Sequence, residues 1–283
     1  FARDFITLYP NAKILVADET NFTKDKRQRF VARMTMNDWD AIIMSHDAFK
    51  LIPAPAKFEQ KVIEEAIQHL EEISKKLSTE SRVTRKVLEA QKEKLKGQLE
   101  AATKRKDDMM HIGETGVDQI IVDEAHAYRK LQFNTNQSQL KGVDPIGSQR
   151  AWDLYIKARY LRSEGCGNRH LILASGTPIT NTLAEMFTIM RYHIEERLIE
   201  LGINHFDAWA ASFGETRTQM ELQPHGTYKP VTRLNQFVNV ADLLSLFRST
   251  TDVVQKKDLK QEVTLPNITG GERKIIVCEL SNM

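Results

Sequence analysis

A chain of 283 residues with 41% hydrophobic content can bury a sizeable core, as one large domain or one domain with an appendage. Its apolar runs are far shorter than the roughly 20 residues a membrane-spanning helix requires, and the start lacks a basic-then-apolar leader, which together imply a cytoplasmic protein. A net charge of +2 leaves nucleic-acid binding to local patches and backbone donors, while Cys166 and Cys278 lack a second pair for a zinc site and read as free thiols.

Strand-like apolar runs alternate with helical periodicity, which predicts an α/β domain with a mostly parallel sheet. Strands are expected at residues 13–17, 40–44, 119–123 and 170–175. Between the first two, residues 23–36 carry Phe30, Val31 and Met34 at helix spacing, with Thr23 placed as an N-cap. Residues 55–108 are charged and poor in glycine. One seam of Val62, Ile63, Ala66, Ile67, Leu70, Ile73 and Leu77 and a second of Val87, Leu88, Leu95 and Leu99 predict two helices folded back around residues 78–81. This hairpin reads as a solvated spacer or arm, or as a surface on which Lys92, Lys94, Lys96, Lys104, Arg105 and Lys106 track phosphates. A helix is expected over residues 148–163, ended by Gly165 and Gly167. An aromatic-bearing helix follows over residues 206–226 and a short one over 241–247. Beyond Lys256 a punctuated linker leads to a strand at residues 275–280.

The run Ile120-Ile121-Val122-Asp123-Glu124-Ala125-His126 ends an apolar strand in paired carboxylates. Nucleotide hydrolysis needs a divalent ion on the terminal phosphates and a group that orients or deprotonates water. Asp123 is placed to hold Mg²⁺, Glu124 to polarise the water and His126 to bond across to residues that sense the phosphate. Leu171-Ile172-Leu173-Ala174-Ser175-Gly176-Thr177-Pro178 repeats the layout, with Asn181 on the following helix. Such a turn lies at the carboxyl edge of a parallel sheet, where these folds bind ligands. Gly176 is expected to permit a turn closed to bulky residues, and Pro178 to stiffen it. The eight histidines form no metalloprotease pattern, and neither a G-x-S-x-G elbow nor an N-P-P-Y motif occurs.

Asp123-Glu124-Ala125-His126 and Ser175-Gly176-Thr177-Pro178-Ile179-Thr180-Asn181 resemble motifs II and III of superfamily 2 helicases, with the stretch from Gly176 to Met186 closest to the Swi/Snf-type branch. Phe1-Ala2-Arg3-Asp4-Phe5, Asp38-Trp39-Asp40-Ala41 and His205-Phe206-Asp207-Ala208-Trp209 resemble the helicase region of large phage- and plasmid-borne proteins that join an adenine-DNA methyltransferase to a helicase. The resemblance implies an α/β RecA-like (P-loop NTPase) lobe with an inserted α-helical hairpin, divided into residues 1–56 and 108–255 of the lobe, 57–107 of the hairpin and a 256–283 linker toward a second RecA-like lobe. It implies ATP and Mg²⁺ as cofactors, double-stranded DNA as partner, and a methyltransferase domain on the same polypeptide. Ser175, Gly176, Thr177, Pro178 and Asn181 would couple hydrolysis to strand movement. Ser45 and His46 fall at a strand-contacting motif, though a Ser-His pair is also an N-cap. Arg129, Lys130 and Lys141 fall where remodeller-type motors touch the DNA backbone.

One departure stands out. The phosphate-cradling G-x-x-x-x-G-K-[ST] loop does not occur in the 283 residues. By analogy it would lie upstream of Phe1, and the isolated stretch would neither bind ATP well nor hydrolyse it. A non-hydrolysing DNA-binding scaffold serving a linked methyltransferase is the competing expectation.

Overall fold

The computed structural model describes residues 1–255 and 258, apart from 19, 24, 25, 77–81, 105–109, 136, 138, 139, 142, 181 and 224. The expected strand at residues 275–280, most of the linker, the hairpin turn, Arg105, Lys106 and Asn181 lie outside these residues.

After a short helix α1 (Ala2–Leu8), strand β1 (Ile14–Val16) pairs in parallel with β2 (Ala41–Ile43), Leu15 opposite Ile42. The crossover is α2 (Arg27–Met36), whose Phe30, Val31 and Met34 are buried. Its N-cap is Lys26, without a side-chain cap, rather than Thr23. The Thr23 carbonyl instead accepts from the Lys26 and Arg27 amides, so the chain turns before the helix begins. Ser45 caps α3 (His46–Phe49), its Oγ accepting from the Ala48 amide at 3.2 Å.

Helices α4 (Ala56–Lys76) and α5 (Arg82–Lys104) form the expected hairpin, but it is not a free arm. Val62, Ile63, Leu70, Leu88, Leu95 and Ala102 are buried in the same core as the strands. Its lysines are committed locally: Lys92 pairs with Glu71, Lys96 with Glu93 and Lys104 with Glu100, while Lys94 donates to the Ile146 carbonyl. The Lys96 and Lys104 pairs are solvent-exposed contacts between neighbouring turns of one helix, which contribute little individually.

Strand β3 (Ile120–Val122) pairs in parallel with β4 (Leu171–Leu173), Ile121 opposite Ile172. The crossover here is α6 (Gln149–Leu161), capped by Ser148, whose Oγ accepts from Ala151. Alternation puts Ile120, Val122 and Leu171 in the core and leaves Ile121 and Ile172 59% and 46% exposed on the other face. Each strand is shorter than its apolar run suggested. The described residues hold two separate two-stranded parallel pairs rather than one continuous parallel sheet. No ladder joins β2 to β3; residues of α1, β2 and β3, among them Phe5, Ile42, Ile43 and Ile121, line a cavity of about 1090 Å³.

A second core gathers α7 (Ala184–Glu200), α8 (Phe206–Phe213) and α9 (Val240–Arg248) around Trp209, with Phe133, Phe187, Phe206 and Phe213. The helix expected over residues 206–226 stops at Phe213. The chain continues as an antiparallel ribbon of β5 (Gly214–Leu222) and β6 (Tyr228–Phe237). No helix among the described residues is long and apolar enough to cross a membrane.

Helix α7 carries a partly buried titratable group with a pH consequence. Burial, reinforced by His170 and Arg162, pushes His193 from its ordinary 6.5 down to about 4, and burial lowers His170 as well. Between pH 6.5 and about 4 the unfolded chain binds the His193 proton and the folded chain does not, so stability falls as pH drops through that window. The loss at pH 5 relative to pH 7 is expected to be on the order of 2 kcal/mol from this group. Urea unfolding of a His193→Gln variant at the two pH values should show a correspondingly smaller loss.

Candidate functional site

The pairing of β3 with β4 continues one step beyond both strands. The Ala174 amide donates to the Val122 carbonyl at 2.8 Å, and the Ala125 amide donates to the Ala174 carbonyl at 2.9 Å. These two bonds set the turns after the strands side by side on the carboxyl rim. Asp123 and Glu124 therefore share a rim with Ser175, Gly176, Thr177 and Pro178, and neither carboxylate is buried in a helix.

Asp123 is exposed, and its Oδ1 accepts from the Glu124 amide at 2.9 Å. Glu124 sits in the left-handed region at φ 50°, ψ 46°, a conformation costing a non-glycine residue roughly 1–2 kcal/mol. That backbone reversal breaks the strand and starts the 3-10 turn Ala125–Tyr128. The buried Ala125 lets the turn close against the core. His126 Nδ1 lies 3.0 Å from Glu124 Oε2, so the imidazole orients the carboxylate it follows.

The second turn is held differently. Ser175 Oγ accepts from the Thr177 amide at 3.2 Å, and Glu185, from the first turn of α7, accepts the Thr180 amide at 2.7 Å. A Cβ at Gly176 would meet nothing within 4 Å, and its φ is not positive. The expectation that this turn is closed to bulky residues is therefore corrected. Pro178 is exposed.

His46 and Ser45 take local roles. Besides the cap made by Ser45, His46 Nε2 lies 3.0 Å from the Asp123 carbonyl and so donates to it, and its ring meets Tyr128 edge-on at 5.1 Å. Helix α3 is clamped from the other side by Arg150 on Asp47 and by Lys157, which donates to the Phe49 carbonyl. Burial pushes the Tyr128 hydroxyl up to about 12, which keeps it neutral.

Arg129 is turned toward Glu185. Its side chain is 18% exposed, and Nε lies 3.1 Å from Glu185 Oε1. The geometry is that of an ion pair without an aligned hydrogen bond. Lys141 is spent on the ribbon: its amide donates to the Thr232 carbonyl and its Nζ pairs with Glu221. Of the three cations expected to face DNA, Lys130 and Lys141 are exposed, Lys141 while paired with Glu221. Sequence reasoning missed Glu185, whose available signal was one carboxylate inside the apolar run from Ala184 to Phe187.

Among the described residues no group of three or more His, Cys, Asp and Glu side chains could hold a metal ion. Mg²⁺ keeps several waters and is commonly bound through one or two carboxylates plus substrate phosphates, so an exposed Asp123 fits a metal delivered with a nucleotide rather than a dedicated cage.

A family model described as "Probable helicase domain" matches residues 1–255. The chain is 26% identical over 172 residues to "Defense against restriction protein B" of Escherichia phage P1, an alignment that covers 60% of this chain and 8% of the phage protein. No solved structure matches. With a family model spanning nearly the whole described chain, this protein belongs to the probable helicase domain family.

Proposed function

We propose that this chain is the first, RecA-like motor lobe of an ATP-dependent DNA helicase or translocase of superfamily 2, coupling hydrolysis of Mg-ATP to movement on duplex DNA. The observation that carries this reading is the pair of backbone bonds, Ala174 to Val122 and Ala125 to Ala174, that set an Asp-Glu strand end beside a Ser-Gly-Thr-Pro turn. In it Asp123 would hold Mg²⁺, which when bound polarises the terminal phosphoryl group. Glu124 orients the attacking water and takes its proton, while His126 keeps the Glu124 carboxylate in place. His46 holds the Asp123 carbonyl, fixing the backbone from which that carboxylate projects. Ser175 and Thr177 report movement at this rim to the rest of the lobe. A second RecA-like lobe and a methyltransferase on the same polypeptide complete the proposal.

A second reading applies where the intact polypeptide, like these 283 residues, carries no G-x-x-x-x-G-K-[ST] loop. In it the lobe is a non-hydrolysing DNA-binding scaffold for a linked methyltransferase. ATP hydrolysis by the intact polypeptide, measured with and without duplex DNA, separates the two. The motor reading expects turnover that rises with added duplex. DNA binding with no turnover in either condition supports the scaffold and rejects the motor.

A further inference from the structure

We propose that the ribbon of β5 and β6 is an arm on which this protein holds the phosphate backbone of duplex DNA. This assignment deepens the function proposed above and rests on duplex DNA being the partner.

Nine residues of β5 pair with β6, so the ribbon extends about 30 Å, enough to follow a DNA strand over most of a helical turn. Side chains opposite one another in the ladder point to the same face, and successive pairs alternate. One face therefore carries Arg217 opposite Arg233 and Glu221 opposite Lys229. Lys141 joins that row from a third segment, bridged to Arg233 and donating through its amide to the Thr232 carbonyl at 3.0 Å. Arg217, Arg233 and Lys141 thus stand side by side on three neighbouring segments. The other face carries Met220 opposite Pro230 and Leu222 opposite Tyr228, with Leu234 at its root against the second core.

Charge sets the first face apart. Like charges directly opposite in a ladder are destabilising, yet Arg217 and Arg233 are register partners. Within residues 214–237 the carboxylates are Glu215 and Glu221, set against Arg217, Lys229 and Arg233, with Lys141 beside them. Glu221 takes Arg233 Nε at 2.5 Å and Lys141 Nζ at 3.2 Å, while Glu215 lies 3.6 Å from Arg217 Nε. All of these side chains reach solvent, and exposed pairs of this kind are worth about 0–1 kcal/mol each. A phosphate can share the cations at little cost, and it offsets the repulsion that two carboxylates leave. A ribbon that only covered the second core would need Leu234 and Phe237 at its root and no row of cations beyond them.

The test measures binding of the intact polypeptide to a fluorescent duplex by anisotropy, without nucleotide, over a series of salt concentrations. Arg217→Gln and Lys229→Gln are each expected to weaken binding about 3- to 10-fold and to lower the slope of log Kd against log salt by about one, the mark of one lost phosphate contact. The double variant should lose about two from the slope. Arg217→Lys, which keeps the charge, should keep the slope of the parent protein. Leu222→Ser, on the opposite face, should leave the affinity within about two-fold and the slope as it was. If the double variant melts early, Arg217→Gln against Arg217→Lys decides the same question. An unchanged slope in both single charge variants would overturn the inference. So would a loss in Leu222→Ser equal to theirs, which would assign the ribbon to an apolar protein partner. No duplex binding by the parent protein rejects duplex DNA as partner and the ribbon's role with it, whereas parent binding that the charge variants retain in full rejects the ribbon alone. With no nucleotide present, these outcomes are independent of ATP turnover, which Glu124→Gln tests.

Discussion

Replacing Glu124 by Gln in the intact polypeptide is expected to cut DNA-stimulated ATP turnover by about two to four orders of magnitude, the range a positioned general base supplies, while ATP binding survives. The substitution is nearly isosteric. It leaves the left-handed backbone at residue 124 as it is, and the new amide can still meet His126 Nδ1, now 3.0 Å from the carboxylate. What disappears is the ability to take a proton from water at the rim beside Thr177. Asp123 keeps its bond to the residue 124 amide, so the group assigned to Mg²⁺ is untouched. Filter binding of ATP alongside steady-state hydrolysis checks both halves. Turnover within two-fold of the parent protein would remove Glu124 from the mechanism.

Trp209→Ala is expected to have the largest effect on stability, a loss of about 3–5 kcal/mol. The indole is fully buried and lies among four phenylalanines: ring centroids of Phe187, Phe206, Phe213 and Phe237 are 5.7, 6.3, 5.8 and 6.3 Å away. Alanine would leave a cavity that rings drawn from α7, α8 and β6 cannot all collapse to fill. The damage should reach the site through α7, because Ala184, Met186, Phe187 and Met190 belong to the second core while Glu185 and Thr188 hold Arg129. Trp209→Phe should lose far less, since the indole N–H has no hydrogen-bond partner among the described residues. Urea unfolding followed by circular dichroism measures both variants. A loss below about 1 kcal/mol for Trp209→Ala would mean that this core does not support the fold as described.

How much of this was legible in the sequence depends on how sharply each segment contrasts its two faces. The four parallel strands fall inside the apolar runs that predicted them, and the hairpin seams of Val62, Ile63, Leu70, Leu88 and Leu95 are buried as their spacing implied. The rim shared by Asp123, Glu124 and Thr177 was legible for the same reason, because an apolar run ending in polar residues marks where a strand leaves the core. The ribbon of β5 and β6 was not. Most of its residues are exposed or half-buried on both faces, so no apolar alternation separates it from the aromatic helix before it. Nor could the sequence tell which of Arg129 and Lys130 points inward. That choice is made by Glu185, 56 positions after Arg129, through a contact that only folding creates. The gap between β2 and β3 is likewise a matter of tertiary placement, since each strand alone reads as a sheet member.

The most direct test of the account is a structure of the intact polypeptide with duplex DNA, Mg²⁺ and a non-hydrolysable ATP analogue. The account predicts the terminal phosphate at the carboxyl rim of β3 and β4, with the metal bound to Asp123 directly or through one water and the Glu124 carboxylate within one water of the phosphorus. Nucleotide bound at the opposite rim, or seated with neither carboxylate within a water's reach, would contradict it.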